Sequence, residues 1–279
     1  MPVASLRSLL FAPGSDEHKL RRALQADADG VIADLEDAVA PARKDEARAL
    51  VMRVLGEEQS AAATMVRING MDSPHFERDL ELVQTLPLQA IVLPKATPES
   101  LDALGRGGPP VIAIVETAQG LRRAYETASH PRVEALILGA VDLGLELGLE
   151  SRPDGQEVLF ARSMLVLDSA AAGIRGPFDL VHLDVRDGEG LEAECRLARS
   201  LGLRGKACIH PAQVEIVNAV FSPEDHELAR ARQIVESYAQ GIADGRGAVA
   251  LDGEMIDLPV VERARRLIAD NKRRVLDAD

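Results

Sequence analysis

Short apolar runs alternate with longer amphipathic stretches along almost the whole chain. The runs at residues 8–11, 31–35, 65–68, 90–93, 111–115, 135–138, 178–183 and 207–209 have the length and composition of buried strands. Helical periodicity fills the gaps, at 17–25, 43–55, 76–85, 99–104, 121–128, 157–172, 191–201 and 212–221. Eight strand–helix units in succession imply a parallel sheet, because parallel neighbours need long crossover returns. Eight such strands close naturally into a (β/α)8 barrel of the TIM type. The competing architecture is an open doubly wound sheet. It predicts a G-x-G-x-x-G turn after the first strand, and "FAPGSDEHK" stands there instead.

The pattern changes after residue 221, so the barrel is assigned to residues 1–221 and an appendage to 222–279. "SPEDHELARARQIVESYAQG" reads as a helix capped by Ser222, with Pro223 at its first position. "GRGAVALDGEMIDLP" reads as a hairpin or extended arm turning at Asp252 and Gly253, and residues 259–276 as a closing amphipathic helix. Barrel closure does not need this segment. It is expected to pack on a neighbouring subunit or to cover the barrel mouth.

Composition narrows the partners. The chain has 279 residues, 46% of them hydrophobic, enough for a sizeable core. Aromatic residues are 3% with no Trp, which argues against base stacking or an aromatic sugar groove. A net charge of −13 disfavours nucleic acid and anionic membranes. Cys195 and Cys208 are far apart and show no metal or disulfide spacing, which suits a reducing compartment. The N-terminal apolar run is too short for a signal peptide or membrane span. A soluble cytoplasmic protein is expected.

In a β/α barrel the chemistry sits at the C-terminal ends of the strands. Those positions are rich in charge: Glu36 and Asp37, Arg67 and Asn69, Lys95, Glu116, Asp142, Asp184 and His210. Glu116 and Asp142 follow neighbouring strands about 4.8 Å apart, so their carboxylates can converge on one ion. Two hard oxygen donors without Cys or clustered His suit Mg2+ or Mn2+. The bland alternative makes both residues helix N-caps. Arg67 offers a fork for a substrate carboxylate or a developing enolate, or else a buried ion pair with Glu36 or Asp37. "DLEDAV" is expected to supply carboxylates that orient Arg67 and metal-bound water. Lys95 lacks an apolar pocket that would favour a Schiff base. His210 is either a base or a histidine bonded to backbone.

Several motifs occur in an order that resembles one family: "RSLLFAPG", "GVIADLEDAVAPARKDEAR", "VRIN", "VLPK", "AIVETAQGL", "LGAVDLGLELG", "FDLVHLDVRDGEGL", "GKACIHPAQVEIVNAVFSP" and "LDGEMIDLP". Together they are similar to the citrate lyase β-subunit-like group, with the malyl-CoA and citramalyl-CoA lyases, of the aldolase and citrate lyase superfamily. The resemblance implies a barrel, usually trimeric, that binds Mg2+ at Glu116 and Asp142. It makes Arg67 the substrate-carboxylate arginine and adds Arg7, Lys95 and Glu116 to the substrate contacts. Catalytic roles then fall to Arg67, Glu36, Asp37 and Asp257, the last reaching a neighbouring subunit's site as acid/base. His182 stands where some relatives carry tyrosine.

The implied reaction is cleavage of a 3-hydroxyacyl thioester, citryl, malyl or citramalyl, into an α-keto acid and a short acyl thioester. Coenzyme A and an acyl carrier protein both stay open as the thiol, and citrate lyase partner subunits are a further expectation. Alternatives are a malate-synthase-like condensing enzyme that hydrolyses the thioester, a metal-dependent aldolase on free hydroxy-keto acids, and a non-catalytic assembly subunit.

Overall fold

The computed structural model describes residues 2–58 and 60–278, with side chains through Asn271. The chain falls into two compact units, one ending at Phe221 and one beginning at Ser222. In the first, β1 (Ser8–Pro13) is followed by α1 (Glu17–Leu24), β2 (Gly30–Asp34) by α2 (Lys44–Glu57), β3 (Ala63–Arg67) by α3 (Phe76–Val83), and β4 (Ala90–Leu93) by α4 (Pro98–Ala103). β5 (Val111–Val115) leads into two short helices, α5 (Ala118–Arg122) and α6 (Ala124–Ala128). β6 (Val133–Leu138) leads into α7 (Ala140–Leu147) and α8 (Leu159–Ala172). β7 (Phe178–Asp179) precedes α9 (Gly188–Leu201), and β8 (Gly205–Cys208) precedes α10 (Val214–Val220).

The eight strands form a closed parallel barrel in sequence order, sealed where Leu9 of β1 pairs with Ala207 of β8. Alternation along each strand divides its apolar residues between two cores. Leu9, Ile32, Met65, Ile112, Ile137, Phe178 and Ala207 fill the barrel interior. Their outward neighbours, such as Leu10, Val31, Val66, Ala113 and Leu136, pack under the helices. Both faces are therefore dry, which is why the strands read as continuous apolar runs rather than as alternating ones.

The expected elements differ from the structure in four places. β7 pairs over two residues where 178–183 was expected. Beyond Asp179 the chain leaves the ladder, and Leu183 is exposed. The expected helix 121–128 is broken at Arg123, whose ψ of 18° is not helical. Helix α7 was not among the expected helices and entered only through the alternative that made Asp142 an N-cap, because Gly144 and a largely apolar sequence blur its period. In the second unit, α11 (Asp225–Ala243) starts later than expected. Its N-cap is Glu224, in a reciprocal capping box with Glu227, and not Ser222.

The second unit continues with β9 (Val249–Leu251), β10 (Glu254–Ile256) and α12 (Leu258–Ala278). The hairpin turns on Asp252 (φ 51°) and Gly253 (φ 86°), the two positive φ values that a two-residue turn matched to strand twist requires. Asp257 opens α12, where its Oδ1 accepts the Val260 N–H at 3.3 Å.

A buried ionic lattice fastens the wall of the barrel to its helices. Asp179 of β7 accepts from Arg162 of α8 (2.8 and 3.0 Å) and from Lys206 of β8 (2.8 Å), and all three side chains are fully buried. Glu194 of α9 joins them, 2.8 Å from Arg162 and 3.0 Å from Lys206. Burial pushes the Asp179 carboxyl up, but Lys206 and Arg162 outweigh it and hold it below the usual carboxylate range. Removing one charge strands the others in a dry interior. Asp179→Ala is therefore expected to cost about 3–5 kcal/mol in urea unfolding; a loss below about 1 kcal/mol would contradict this role.

Candidate active site

Parallel register sets the first pair of site residues. Asp34 ends β2 and Arg67 ends β3, and the two are directly paired across the strands. Arg67 Nε and Nη2 donate to Asp34 Oδ1 and Oδ2, each at 2.7 Å. Its Nη1 lies 3.1 Å from Glu36 Oε2 and 3.6 Å from Asp37 Oδ2, and the guanidinium stands 5.0 Å from the centroid of the Phe11 ring. Burial opposes the arginine charge, but Asp34, Glu36 and Asp37 more than offset it and raise the pKa above the ordinary arginine value. Asp34 uses one edge of the fork. The outer N–H groups on Nη1 and Nη2 point elsewhere and can meet a further carboxylate.

The loop after β2 is fixed from beneath. Asp34 accepts the N–H groups of Glu36 (2.8 Å) and Ala38 (3.1 Å). Lys44, buried, donates to the carbonyls of Leu35 (2.6 Å) and Glu36 (2.7 Å) and to Asn69 Oδ1 (2.8 Å). Asn69 is held in turn by Asp79, and Asp79 by Arg48. Glu36 is buried, and desolvation raises its pKa despite the attraction of Arg67. Its other oxygen meets Lys95 Nζ at 3.3 Å.

Lys95 has φ of 48°, a left-handed conformation uncommon for a residue with a side chain. That turn aims its backbone N–H at Glu116 Oε1, 2.7 Å away. The ammonium is half exposed. Burial lowers its pKa, but Glu36 and Glu116 more than reverse this, so it stays charged, which disfavours Schiff-base chemistry.

Glu116 follows β5 directly and is buried. Burial first, then the neighbouring Glu36, pushes its carboxyl up to about 8, against the Lys95 N–H; Asp142 adds to the rise. Gly139 makes room for it, since a Cβ at 139 would lie 2.4 Å from Glu116 Cβ and 2.7 Å from Oε2. Asp142 sits in the first turn of α7 and not at a strand end. Neither carboxylate is a helix N-cap. Thr117 caps α5, and Gly139 occupies the cap position of α7.

Asp34, Asp37, Arg67, Glu116 and Asp142 line one cavity of about 500 Å³, together with Phe11, Ile114, Ile137, Val181 and Ile209. Among the described residues no three His, Cys, Asp or Glu side chains form a metal cage. Two carboxylates still fit Mg2+, which keeps several waters and substrate oxygens in its shell. The acidic strain on Glu116 is the observation that supports the fit. A buried carboxylate pressed by other carboxylates, with no protein donor on Oε2 among the described residues, is a donor that a cation would stabilise.

Other expected positions lie elsewhere. Arg7 precedes β1, at the end of the barrel opposite the cavity, where Asp29 takes its Nε (2.8 Å) and Nη2 (2.7 Å). The expectation that Arg7 binds substrate is thus corrected to a structural ion pair. His210 Nδ1 accepts the Ala212 N–H at 3.2 Å, the backbone-bonded alternative. Asp184 is exposed and turns back on the Arg186 N–H. His182 Nδ1 is tied to Glu194 Oε2 at 3.0 Å, joining the buried lattice. The carboxylates of "DLEDAV" were expected to orient Arg67, and Asp34, the first of them, is the one that takes it bidentately; Lys44 was not singled out.

A model of the HpcH/HpaI aldolase/citrate lyase family matches residues 7–211. The chain belongs to that family. A second model, the C–C bond lyase of the TIM-barrel fold, matches residues 165–259. The (3S)-malyl-CoA thioesterase of Cereibacter sphaeroides is 38% identical over 267 residues, covering 94% of this chain and 93% of the relative. The citrate lyase subunit beta of Leuconostoc mesenteroides subsp. cremoris is 35% identical, with 94% and 92% covered. The structure of CitE from Mycobacterium tuberculosis in complex with magnesium, acetoacetate and coenzyme A aligns with a TM-score of 0.83 at 34% identity, covering 96% of this chain and 99% of that one. This chain is thus a citrate lyase β-subunit-like carbon–carbon lyase. Among its described residues no helix is long and apolar enough to cross a membrane.

If Glu116 is a cation ligand, its raised carboxyl makes proton and cation competitors for one site. Mg2+ affinity in calorimetric titration is expected to fall as pH drops below about 8, approaching roughly tenfold per pH unit. Affinity that stays flat between pH 6 and pH 9 would sink the assignment of Glu116 as a ligand.

Proposed function

We propose that the chain cleaves, and in reverse forms, a 3-hydroxyacyl thioester with Mg2+ held at Glu116 and Asp142. The cavity that joins these carboxylates to the outer edge of Arg67, the one not taken by Asp34, carries this reading. The bond between the carbinol carbon and the thioester α-carbon breaks. The hydroxyl loses its proton and becomes the carbonyl of an α-keto acid, while the α-carbon gains a proton and leaves as a short acyl thioester. No oxidant is needed.

Bound there, the cation would polarise the substrate oxygen and stabilise enolate charge. Arg67 grips the keto acid carboxylate through Nη1 and Nη2, kept rigid by Asp34. Glu36 is not on the cavity lining, so its role is to pin Arg67 and Lys95. Asp37 lines the cavity and is the exposed carboxylate available to receive the hydroxyl proton. Lys95 is retained as a substrate contact through its half-exposed ammonium. Asp257 as acid/base, in a homotrimer whose arm serves a neighbouring site, rests on the family resemblance. The relatives that hold magnesium and coenzyme A support Mg2+ and an acyl-CoA. Hydrolysis of a malyl thioester is the second reading, favoured by likeness to the (3S)-malyl-CoA thioesterase.

Mass spectrometry of malyl-CoA and citramalyl-CoA incubated with enzyme and Mg2+ separates the two. Cleavage gives acetyl-CoA and keto acid, whereas release of free CoA alone would overturn the lyase reading. Chelation, Glu116→Ala and Asp142→Ala are each expected to abolish turnover with the fold intact. Arg67→Lys retains charge but loses the fork, so kcat/KM should drop about 100-fold or more. A wild-type rate for Arg67→Lys would leave a role for charge and remove the bidentate one. Inactive Glu116→Ala and Asp257→Asn should restore activity to one another in mixed, re-exchanged oligomers, and no recovery after verified exchange rejects the shared site.

A further inference from the structure

The two carboxylates of the proposed cation site are mounted differently. Glu116 directly follows β5 and is held on two sides, by the Lys95 N–H at 2.7 Å and by the close approach of Gly139. Asp142 belongs to α7, and among the described residues nothing donates to its carboxylate. Where it points is set by the helix.

Helix α7 is lightly anchored for that task. Leu143 is its one buried side chain, while Val141, Leu145 and Leu147 are exposed. Its N-terminal end is tied to β5 by the Gly139 N–H, which donates to the Val115 carbonyl at 3.0 Å. Beyond the left-handed Gly148 at the C-cap, Leu149 packs against the core. These contacts fix the two ends. Rotation of α7 about its own axis is left to Leu143 and one polar contact.

Glu146 makes that contact. Its Oε2 accepts the backbone N–H of Ala118 at 2.9 Å. Ala118 is the first residue of α5, two positions after Glu116, and its N–H has no acceptor within its own helix. Thr117 Oγ1 takes a different donor, the Gly120 N–H, also at 2.9 Å. Glu146 stands one turn beyond Asp142, so both lie on the same side of α7 and holding one sets the direction of the other. The hydrogen bond therefore joins the helix that carries Asp142 to the chain that has just left Glu116. It spans the gap that a shared cation has to match.

Building on the reading of Glu116 and Asp142 as cation ligands, we propose that Glu146 is a positioning residue for the divalent cation. By accepting the Ala118 N–H it holds α7 in the rotation that turns Asp142 toward Glu116. Glu146 is not on the cavity lining, so it acts through Asp142 and touches neither cation nor substrate. The contact needs an oxygen acceptor and not a charge. Glutamine can supply one and alanine cannot.

The test is calorimetric titration of Mg2+ into the full-length enzyme, a readout independent of turnover. Glu146→Ala should weaken Mg2+ binding about tenfold or more, and Glu146→Gln by less than about threefold. Ala118→Pro removes the same hydrogen bond from the donor side. Proline has no N–H and suits the first position of a helix, and Thr117 before it is already extended, as a residue preceding proline prefers. This variant should match Glu146→Ala, and combining the two should cost no more than the worse one alone, because both delete one interaction. A bond that serves only the fold would lower the unfolding midpoint of the metal-free enzyme and leave the Mg2+ affinity of the folded protein unchanged. Wild-type affinity in either folded Glu146→Ala or folded Ala118→Pro therefore overturns this inference and leaves the cation site standing. Equal losses in Glu146→Gln and Glu146→Ala also overturn it, by making the charge what matters. Absence of Mg2+ binding by the wild type removes the cation site and this inference together.

Discussion

Asp34 ends β2 and Arg67 ends β3, and the parallel register places them side by side where both strands reach the cavity. An arginine this well buried stays charged only with a partner, and the bidentate Asp34 contact supplies one. Asp34 also collects the N–H groups of Glu36 and Ala38, so the same carboxylate shapes the loop that brings Glu36 to Arg67 and Lys95. Lys95 then turns its backbone N–H onto Glu116. Site geometry thus passes from strand to strand around the barrel mouth through hydrogen bonds and ion pairs, starting from one strand-end pair.

Electrostatics explains why the mouth is prepared for chemistry. Carboxylates gather there in excess of positive charge, and the penalty shows in the raised pKa values of Glu116 and Glu36. The barrel tolerates this because its stability is secured elsewhere, in two apolar cores and in the Arg162, Asp179, Glu194 and Lys206 lattice. A divalent cation at Glu116 and Asp142 would relieve the repulsion while leaving coordination sites for substrate. Rigid walls and a charged, strained mouth are what a preorganised site for a developing enolate requires.

Much of this could be read along the chain. Strands buried on both faces announce themselves as apolar runs, and a charge that follows such a run falls at the catalytic end, as Arg67 and Glu116 show. Asp142 was legible as a residue but not in its setting, because the apolar, glycine-containing α7 has no clear amphipathic period. "DLEDAV" was legible as the source of carboxylates for Arg67, but not that Asp34 alone takes its fork, and Lys44 was hidden inside an ordinary helical stretch. Their partners come from other strands, which local pattern does not reveal. The buried lattice escaped for the same reason, since Arg162, Asp179 and Lys206 meet only once the barrel closes. Arg7 shows the opposite error. Its motif was informative about family, but a residue that precedes a strand lies at the end away from the cavity.

The central claim is that Glu116 and Asp142 together hold a divalent cation beside Arg67. The most direct measurement is an anomalous difference map from crystals soaked in Mn2+, which occupies the same oxygen-ligand sites as Mg2+. The account predicts a single strong peak within bonding distance of both carboxylates, and its loss in Glu116→Gln crystals soaked identically. A peak elsewhere in the barrel, or one that persists unchanged without the Glu116 carboxylate, would contradict it.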